Sequence, residues 1–243
     1  MQKLCSYEFY IFIIFARNSI QVKILKTLIL VFCLPACVLP SQAQGKLRDR
    51  EGNNYKTFVI ANKVWMAENL NVSHYRNGDV IPEAKSIADW ERYCANKTGC
   101  WCYYNFSAAN GRKYGRLYNW YAVADKRGLS PSGWHVPKDV EWLVFTNIPN
   151  LGLRPGLGMK NTRGWDVGDD NCSGSNDTGF TGLPGGILVN GKFESLGLIG
   201  QWWCSTETEL NFARTRSLWA ESDDLWLMNT LKQCGSSVRC VKD

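Results

Sequence analysis

Carboxylates and amides crowd one stretch of this sequence: Asp166, Asp169, Asp170 and Asn171, then Asn176 and Asp177. Hard oxygen donors at this density are the raw material of a calcium site, with Asp169, Asp170, Asn171 and Asp177 as candidate ligands. The D-x-D-x-D-G spacing of the helix-loop-helix hand is absent, and the same residue types build ordinary turns because they tolerate unusual backbone angles. Calcium is therefore the one cofactor the sequence offers, with a plain turn as the competing reading. A second constellation, Trp202, Trp203, Glu207 and Trp219, has the composition of an aromatic floor with a polar rim on which a sugar ring stacks. Neighbouring strand residues point to opposite faces, so only one of Trp202 and Trp203 is expected to face the core, and the other is exposed unless a loop covers it.

Acid-base and nucleophilic chemistry find little support. The two histidines are His74 and His135, and His135 reads as a packed residue joining a loop to a helix. No G-x-S-x-G string, phosphate loop or paired His-Cys arrangement points to a hydrolase. Glu68, Glu141 and Glu207 are available as acids, but nothing in the sequence fixes the carboxylate separation that glycoside hydrolysis needs. Cys100-x-Cys102 lacks the gap of a zinc knuckle, and no second pair completes a tetrahedral site. The expectation is a protein without enzymatic activity.

The elements that must hold these residues follow a leader. Residues 24–39 form an apolar run after Lys23 and Lys26, and Ser41-Gln42-Ala43 suits signal peptidase. Residues 1–43 are thus expected to be a leader, with the true start near Val22, residues 44–54 a short polar linker, and residues 55–243 a single domain. Leu34-Pro35-Ala36-Cys37 offers the alternative of a lipoprotein acylated at Cys37. The expected destination is secretion or the cell surface. The four basic residues and one acidic residue of the leader leave 24 basic against 21 acidic of the chain's 28 and 22. Such a small excess, without a basic cluster, argues against a nucleic-acid partner. Past the leader lie Cys94, Cys100, Cys102, Cys172, Cys204, Cys234 and Cys240, a density that suits an oxidising compartment and an odd number that leaves one thiol over.

Tyr55–Ile60 and Val64–Leu70 read as a hairpin around Ala61-Asn62-Lys63, because β-branched and aromatic residues flank a short turn-prone connection. Residues 71–110 have few periodic apolar positions and read as a stapled loop region. Leu117, Tyr118, Tyr121 and Ala122 make the stripe of one helix ending before Gly128. Pro137, Asp139, Glu141, Trp142 and Phe145 signal a second helix stopped by Pro149. Beyond it, Gly-rich strand runs suggest hairpins, with Asn190-Gly191 the best two-residue turn. This order fits an α+β domain with helices segregated from an antiparallel sheet. The eleven tryptophans all lie beyond residue 43 and read mostly as core.

Seven strings give the chain a relative. GNNYKTFVIANKVWMAENLNV (Gly52–Val72), GCWCYYN (Gly99–Asn105), YGRLYNWYAV (Tyr114–Val123), PSGWHVPKDVEW (Pro131–Trp142), NDTGFTGLPGG (Asn176–Gly186), WWCSTE (Trp202–Glu207) and SVRCVKD (Ser237–Asp243) together resemble the Fibrobacter succinogenes major paralogous domain. The resemblance runs from about Asp49 to Asp243. It implies a secreted or surface-exposed bacterial module without established catalytic activity, binding a carbohydrate or a protein through loops, or serving as a structural or adhesion component of the envelope. The Gly-rich ending is similar to the C-type-lectin-like fold, which implies two helices packed on a small twisted antiparallel sheet with long loops. That fold group includes sulfatase-modifying oxidases, but the sequence around their reactive cysteines is absent here. Two departures from the family bear on sulfur chemistry: Leu129 and Ser130 stand where the family commonly has a Cys, while Cys204 and Cys234 stand where it commonly has none. The gained pair implies a Cys204–Cys234 bridge, and Cys94 with Cys100 or Cys102 is the second choice, either worth about 3 kcal/mol through the unfolded chain.

Overall fold

The computed structural model describes residues 46–148, 154–166 and 174–243. The leader with Cys37, the calcium candidates Asp169, Asp170 and Asn171, and Cys172 lie outside the described residues.

Strands β1 (Lys46–Arg48), β2 (Asn54–Ile60) and β3 (Lys63–Met66) open the chain. β2 and β3 form the expected hairpin, and the turn residues Ala61 and Asn62 both take positive φ, the geometry of a tight two-residue connection. β1 pairs antiparallel with β2, so part of the polar lead-in belongs to the sheet. Helix α1 (Ile87–Ala95) follows, capped by Ser86, whose hydroxyl accepts from Asp89 N at 3.1 Å; such a cap contributes about 1 kcal/mol. Its inner face buries Trp90 and Cys94, four residues apart. The region expected to be loop thus carries a helix whose signals, Ser86 three residues before Asp89 and the Trp90–Cys94 spacing, were present in the sequence.

Next come β4 (Trp101–Cys102), α2 (Ala108–Tyr114), β5 (Leu117–Tyr118), α3 (Trp120–Val123) and β6 (Trp134–His135). The single helix expected from residue 117 is instead a short strand and one helical turn. Tyr118 is held in a β ladder with Trp101 and bridged to Ser236, and Asn119 then caps α3 by accepting from Ala122 N. A 3₁₀ turn (Asp139–Trp142) leads into α4 (Leu143–Thr146), and α5 (Pro155–Met159) starts at a proline. The expectation of two helices on a sheet is therefore corrected to five short α-helices among the described residues, the longest of nine residues.

The rest is antiparallel: β7 (Gly185–Val189), β8 (Lys192–Leu196), β9 (Ile199–Glu209), β10 (Phe212–Trp219), β11 (Trp226–Leu231) and β12 (Val241–Lys242). β7 and β8 turn at Asn190-Gly191, both at positive φ, as their types predict. β12 returns to lie between β3 and β6 in a sheet of order β1-β2-β3-β12-β6, while β9, β10 and β11 form a second sheet. The architecture is α+β with mostly antiparallel sheets. Among the described residues no helix is long and apolar enough to cross a membrane.

The three-stranded sheet carries core on both faces. Trp203 packs with Trp101, Tyr118 and Trp120 on one side; Trp202 packs with Trp142, Phe145 and Phe180 on the other. Arg239, 1% exposed, ties the end of the chain to this interior: Nε donates to Asn69 Oδ1 at 2.8 Å, and Nη1 and Nη2 donate to the carbonyls of Met66, Phe180 and Thr181. Burial pulls the pKa of its guanidinium down to about 9, still above neutrality, so the group remains charged and hydrogen-bonded.

Candidate functional site

Of the four residues read as an aromatic recognition floor, the structure exposes two. Trp202 and Trp203 are both 0% exposed, so the covered alternative holds and neither stands in a recognition floor. Alternation does send them to opposite faces, but each face is buried, and each indole N–H has a partner. Trp202 Nε1 donates to Asn69 Oδ1 and Trp203 Nε1 to the Tyr118 carbonyl, both at 2.8 Å. Glu207 accepts from Lys232 Nζ in a short ion pair, with its own side chain 55% exposed and Lys232 almost buried. Lys232 also lies over the Trp120 ring at 4.7 Å. Glu207 therefore anchors a buried cation and does not stand beside Trp202.

Trp219, at the end of β10, is exposed and has a partner the sequence reading passed over. Trp226 opens β11, and the two ring centroids lie 5.5 Å apart at an interplanar angle of 30°. Nine of the eleven tryptophans are buried; the two left in solvent stack on each other. Register explains the pairing: Trp226 lies opposite Ser217, so its side chain rises on the face that also carries Trp219, with Met228 following on the same face. The signal in the sequence was a pair of Trp residues flanking the acidic turn Glu221-Ser222-Asp223-Asp224.

That turn is organised from below. Lys160, 0% exposed, donates from Nζ to the carbonyls of Trp219, Ala220 and Ser222 at 3.4, 3.4 and 3.0 Å, and stands 3.6 Å from Asp223 Oδ1. Arg154 closes on Asp223 Oδ2 from the solvent side. Gly156 brings the start of α5 against the turn, where its N–H donates to the Asp223 carbonyl at 2.6 Å and a Cβ would fall 2.5 Å from the Asp224 carbonyl oxygen. Ser222 Oγ accepts from Trp226 Nε1 at 3.1 Å and from Asp224 N at 3.2 Å. A buried ammonium with three carbonyl acceptors thus fixes two exposed indoles beside the exposed carboxylates of Glu221 and Asp224. Apolar ring faces next to acceptors are the chemistry that receives a pyranose, whose C–H face stacks and whose hydroxyls donate.

The remaining candidates are placed as follows. Asp177 is exposed and accepts from Ser175 Oγ at 2.6 Å, while Asn176, at positive φ, accepts from Thr181 N through its side chain, the geometry of a turn. Among the described residues no three His, Cys, Asp or Glu side chains gather as a metal-holding group. His135 sits between two carboxylates, Nδ1 at 2.6 Å from Asp243 and Nε2 at 3.1 Å from both Glu141 oxygens, so β6 is locked to the 3₁₀ turn and both ring nitrogens are occupied. His74 meets Ser73 Oγ and Glu51 through the same nitrogen, Nδ1, whereas activating a hydroxyl requires the acid and the nucleophile on opposite nitrogens.

The described cysteines, Cys94, Cys100, Cys102, Cys204, Cys234 and Cys240, are all free and buried. The implied Cys204–Cys234 bridge is corrected: Cys204 lies in the cluster around Trp142 and Trp202, where burial pushes its thiol up to about 12, and Cys234 lies in the other cluster with Trp203. The second choice, Cys94 with Cys100 or Cys102, is not bridged either: the three are free thiols of one cluster, Cys94 and Cys100 sharing the Asn119 amide.

No curated protein and no solved structure matches this chain. The profile of the Fibrobacter succinogenes major domain matches residues 59–242, from the β2 strand to the β12 strand, and on that match the chain belongs to the Fibrobacter succinogenes major domain family.

Proposed function

We propose that the chain is a secreted or cell-surface, non-enzymatic recognition module that binds carbohydrate through Trp219 and Trp226. The observation that carries this reading is the stacked, exposed indole pair held rigid by the buried Lys160. Preorganised aromatics lose little entropy on binding, so two rings suffice to anchor a weakly polar ligand. The return of β12 to the opening hairpin supports a C-type-lectin-like arrangement in which the ends of the domain meet in one sheet and the inserted segments carry recognition. The apolar leader supports export. A glycan array tests the reading: binding by the wild type that disappears in Trp226→Ala, with the circular dichroism spectrum unchanged, is the expected result. A wild type that binds no glycan defeats it.

One observation favours a second reading. Trp226, Leu227, Met228 and Asn229 are all exposed although successive residues alternate in face, and β11 is the edge of its sheet. An exposed edge of this kind accepts an added strand, which supports a protein ligand or a structural and adhesive role in the envelope. Concentration-dependent self-association lost on a Met228→Lys substitution, without glycan binding, is the outcome that selects it.

A further inference from the structure

Cys94 ends the last turn of α1 and lines a recess of about 180 Å³ together with Trp90, Glu91, Ala95, Leu188 and Gln233. Glu91 and Ala95 at its rim are exposed, so the recess opens to solvent and Cys94 lies on its inner wall. Cys100, 0% exposed, is absent from that wall. One amide serves both: Asn119 Nδ2 is 3.2 Å from Cys100 Sγ and 3.7 Å from Cys94 Sγ. Asn119 itself is immobilised, its Oδ1 accepting from Cys100 N and Ala122 N and its Nδ2 donating to the Thr98 carbonyl at 2.8 Å. The Cys94 thiol also reaches the Gln233 carbonyl at 3.6 Å.

These contacts divide the labour between two sulfurs. Cys94 lines the recess, and the neighbouring Cys100 and the Asn119 amide hold its pKa below the ordinary thiol value against the opposing effect of burial. Cys100 is absent from the recess wall, and the neighbouring Cys94 together with burial pushes its pKa up. A sulfur on the wall of a solvent-open recess with a second, wholly buried sulfur sharing its amide donor is the arrangement of an attacking and a resolving cysteine.

We propose that Cys94 and Cys100 form a redox-active dithiol that reduces small organic disulfides entering the recess. The Cys94 thiolate attacks one sulfur of the disulfide, forming a mixed disulfide and expelling one thiolate. That thiolate takes the proton of Cys100. The Cys100 sulfur then attacks Cys94 Sγ, forming the Cys94–Cys100 bond and releasing the second thiolate, which takes up the proton lost by Cys94. Two electrons pass from the protein thiols to the disulfide, which leaves as two thiols. The product ties the end of α1 to the residue before β4, and it is a bond made in exchange with the surroundings, independent of sugar recognition at the far sheet.

The probe is cystamine, a small disulfide whose ammonium groups complement Glu91 at the rim, applied to the reduced full chain. Peptide mapping under non-reducing conditions is expected to recover a Cys94–Cys100 linked pair from the wild type. Cys100→Ser is expected to hold a stable cysteamine adduct on Cys94, formed about tenfold faster than on any other cysteine of the folded chain, and Cys94→Ser to give neither link nor adduct at Cys100. A link from Cys94 to Cys102 or Cys234 overturns the proposal. So does an adduct on Cys100 in Cys94→Ser, or wild type left unmodified under conditions where the chain unfolded in urea reacts. The wild-type mapping decides even where a variant fails to fold.

Discussion

The middle of the β9–β10–β11 sheet and its β10–β11 end use the same side chain for opposite purposes. In the middle, Trp202 and Trp203 point to opposite faces and both are wholly buried, each with its indole N–H satisfied. At the end, Trp219 and Trp226 share one face, stack on each other and remain in solvent. What separates the two regions is what lies above them. The middle is covered on one side by Tyr118 and Trp120 and on the other by Trp142, Phe145 and Phe180, whereas the end is a turn braced by Lys160 and Gly156 on its carbonyls and by Arg154 on the Asp223 carboxylate. Aromatic residues are therefore buried where layers meet and left in solvent where the layers stop.

The sharpest way to break this contrast is truncation in the middle. Trp202→Ala removes an indole packed edge-on against Phe180 at 5.1 Å and leaves a cavity beside the charged Arg239, itself 5.7 Å from that ring. The expected loss is about 3–5 kcal/mol in urea unfolding. A loss below about 1 kcal/mol would mean that the buried layer is not what holds the sheet.

Asn69 is the polar counterpart in the same layer. Its Oδ1 accepts from both Trp202 Nε1 and Arg239 Nε, and its Nδ2 donates to the Tyr114 carbonyl and Ser237 Oγ. Asn69→Leu strands a buried guanidinium N–H and an indole N–H at once, and is expected to cost about 3 kcal/mol or more. If Asn69→Leu is as stable as the wild type, the hydrogen-bonded arrangement around Arg239 is wrong.

Lys160→Met probes the boundary between the regions. The substitution keeps most of the volume but takes the ammonium from the Ala220 and Ser222 carbonyls and leaves that of Trp219 with Ser222 N alone, for an expected loss of about 2–3 kcal/mol. Because that donor fixes the indole pair, affinity for any glycan bound by the wild type is expected to fall with it, by about tenfold for each 1.4 kcal/mol of lost preorganisation. Unchanged affinity in a destabilised variant would show that the turn is stable for its own sake and does not shape the site.

How far the sequence reveals this division can be judged from individual residues. The β2–β3 and β7–β8 hairpins were legible because Ala61-Asn62 and Asn190-Gly191 are local signals that need no tertiary partner. The helix expected from Leu117 was not, because its apolar spacing fits a helix and a buried strand equally, and the choice was made by pairing with Trp101 and Ser236, distant in sequence. Trp219 is legible as a candidate and Trp226 is not, while for Trp202 and Trp203 the sequence leaves open whether the second face is covered, and both prove to be buried. Alternation says that two neighbours face opposite ways; it does not say whether one face or both are covered. Lys160 left no local trace, since a lysine becomes a buried brace only when carbonyls from residues 219–222 are folded onto it. A bridge from Cys94 to Cys100 or Cys102 is the sequence's second choice, whereas the structure holds all three as free thiols; that Asn119 shares its amide between Cys94 and Cys100 is encoded by no spacing within residues 94–102.

The smallest expected effect on stability is also the most direct test of the contrast. Trp219→Ala and Trp226→Ala each remove an indole that already faces water, so each should shift unfolding by no more than about 0.5–1 kcal/mol, mostly from the loss of the ring–ring contact. Their spectroscopic effect should be out of proportion to that. Iodide, a charged quencher excluded from protein interiors, reaches only exposed indoles, so the quenchable part of the tryptophan emission should come from these two of the eleven. Trp219→Phe with Trp226→Phe should therefore abolish most iodide quenching while leaving the midpoint nearly unchanged. If strong quenching persists in the double variant, one of the nine indoles assigned to the interior is in contact with solvent, and the division between buried and exposed tryptophans fails at that residue.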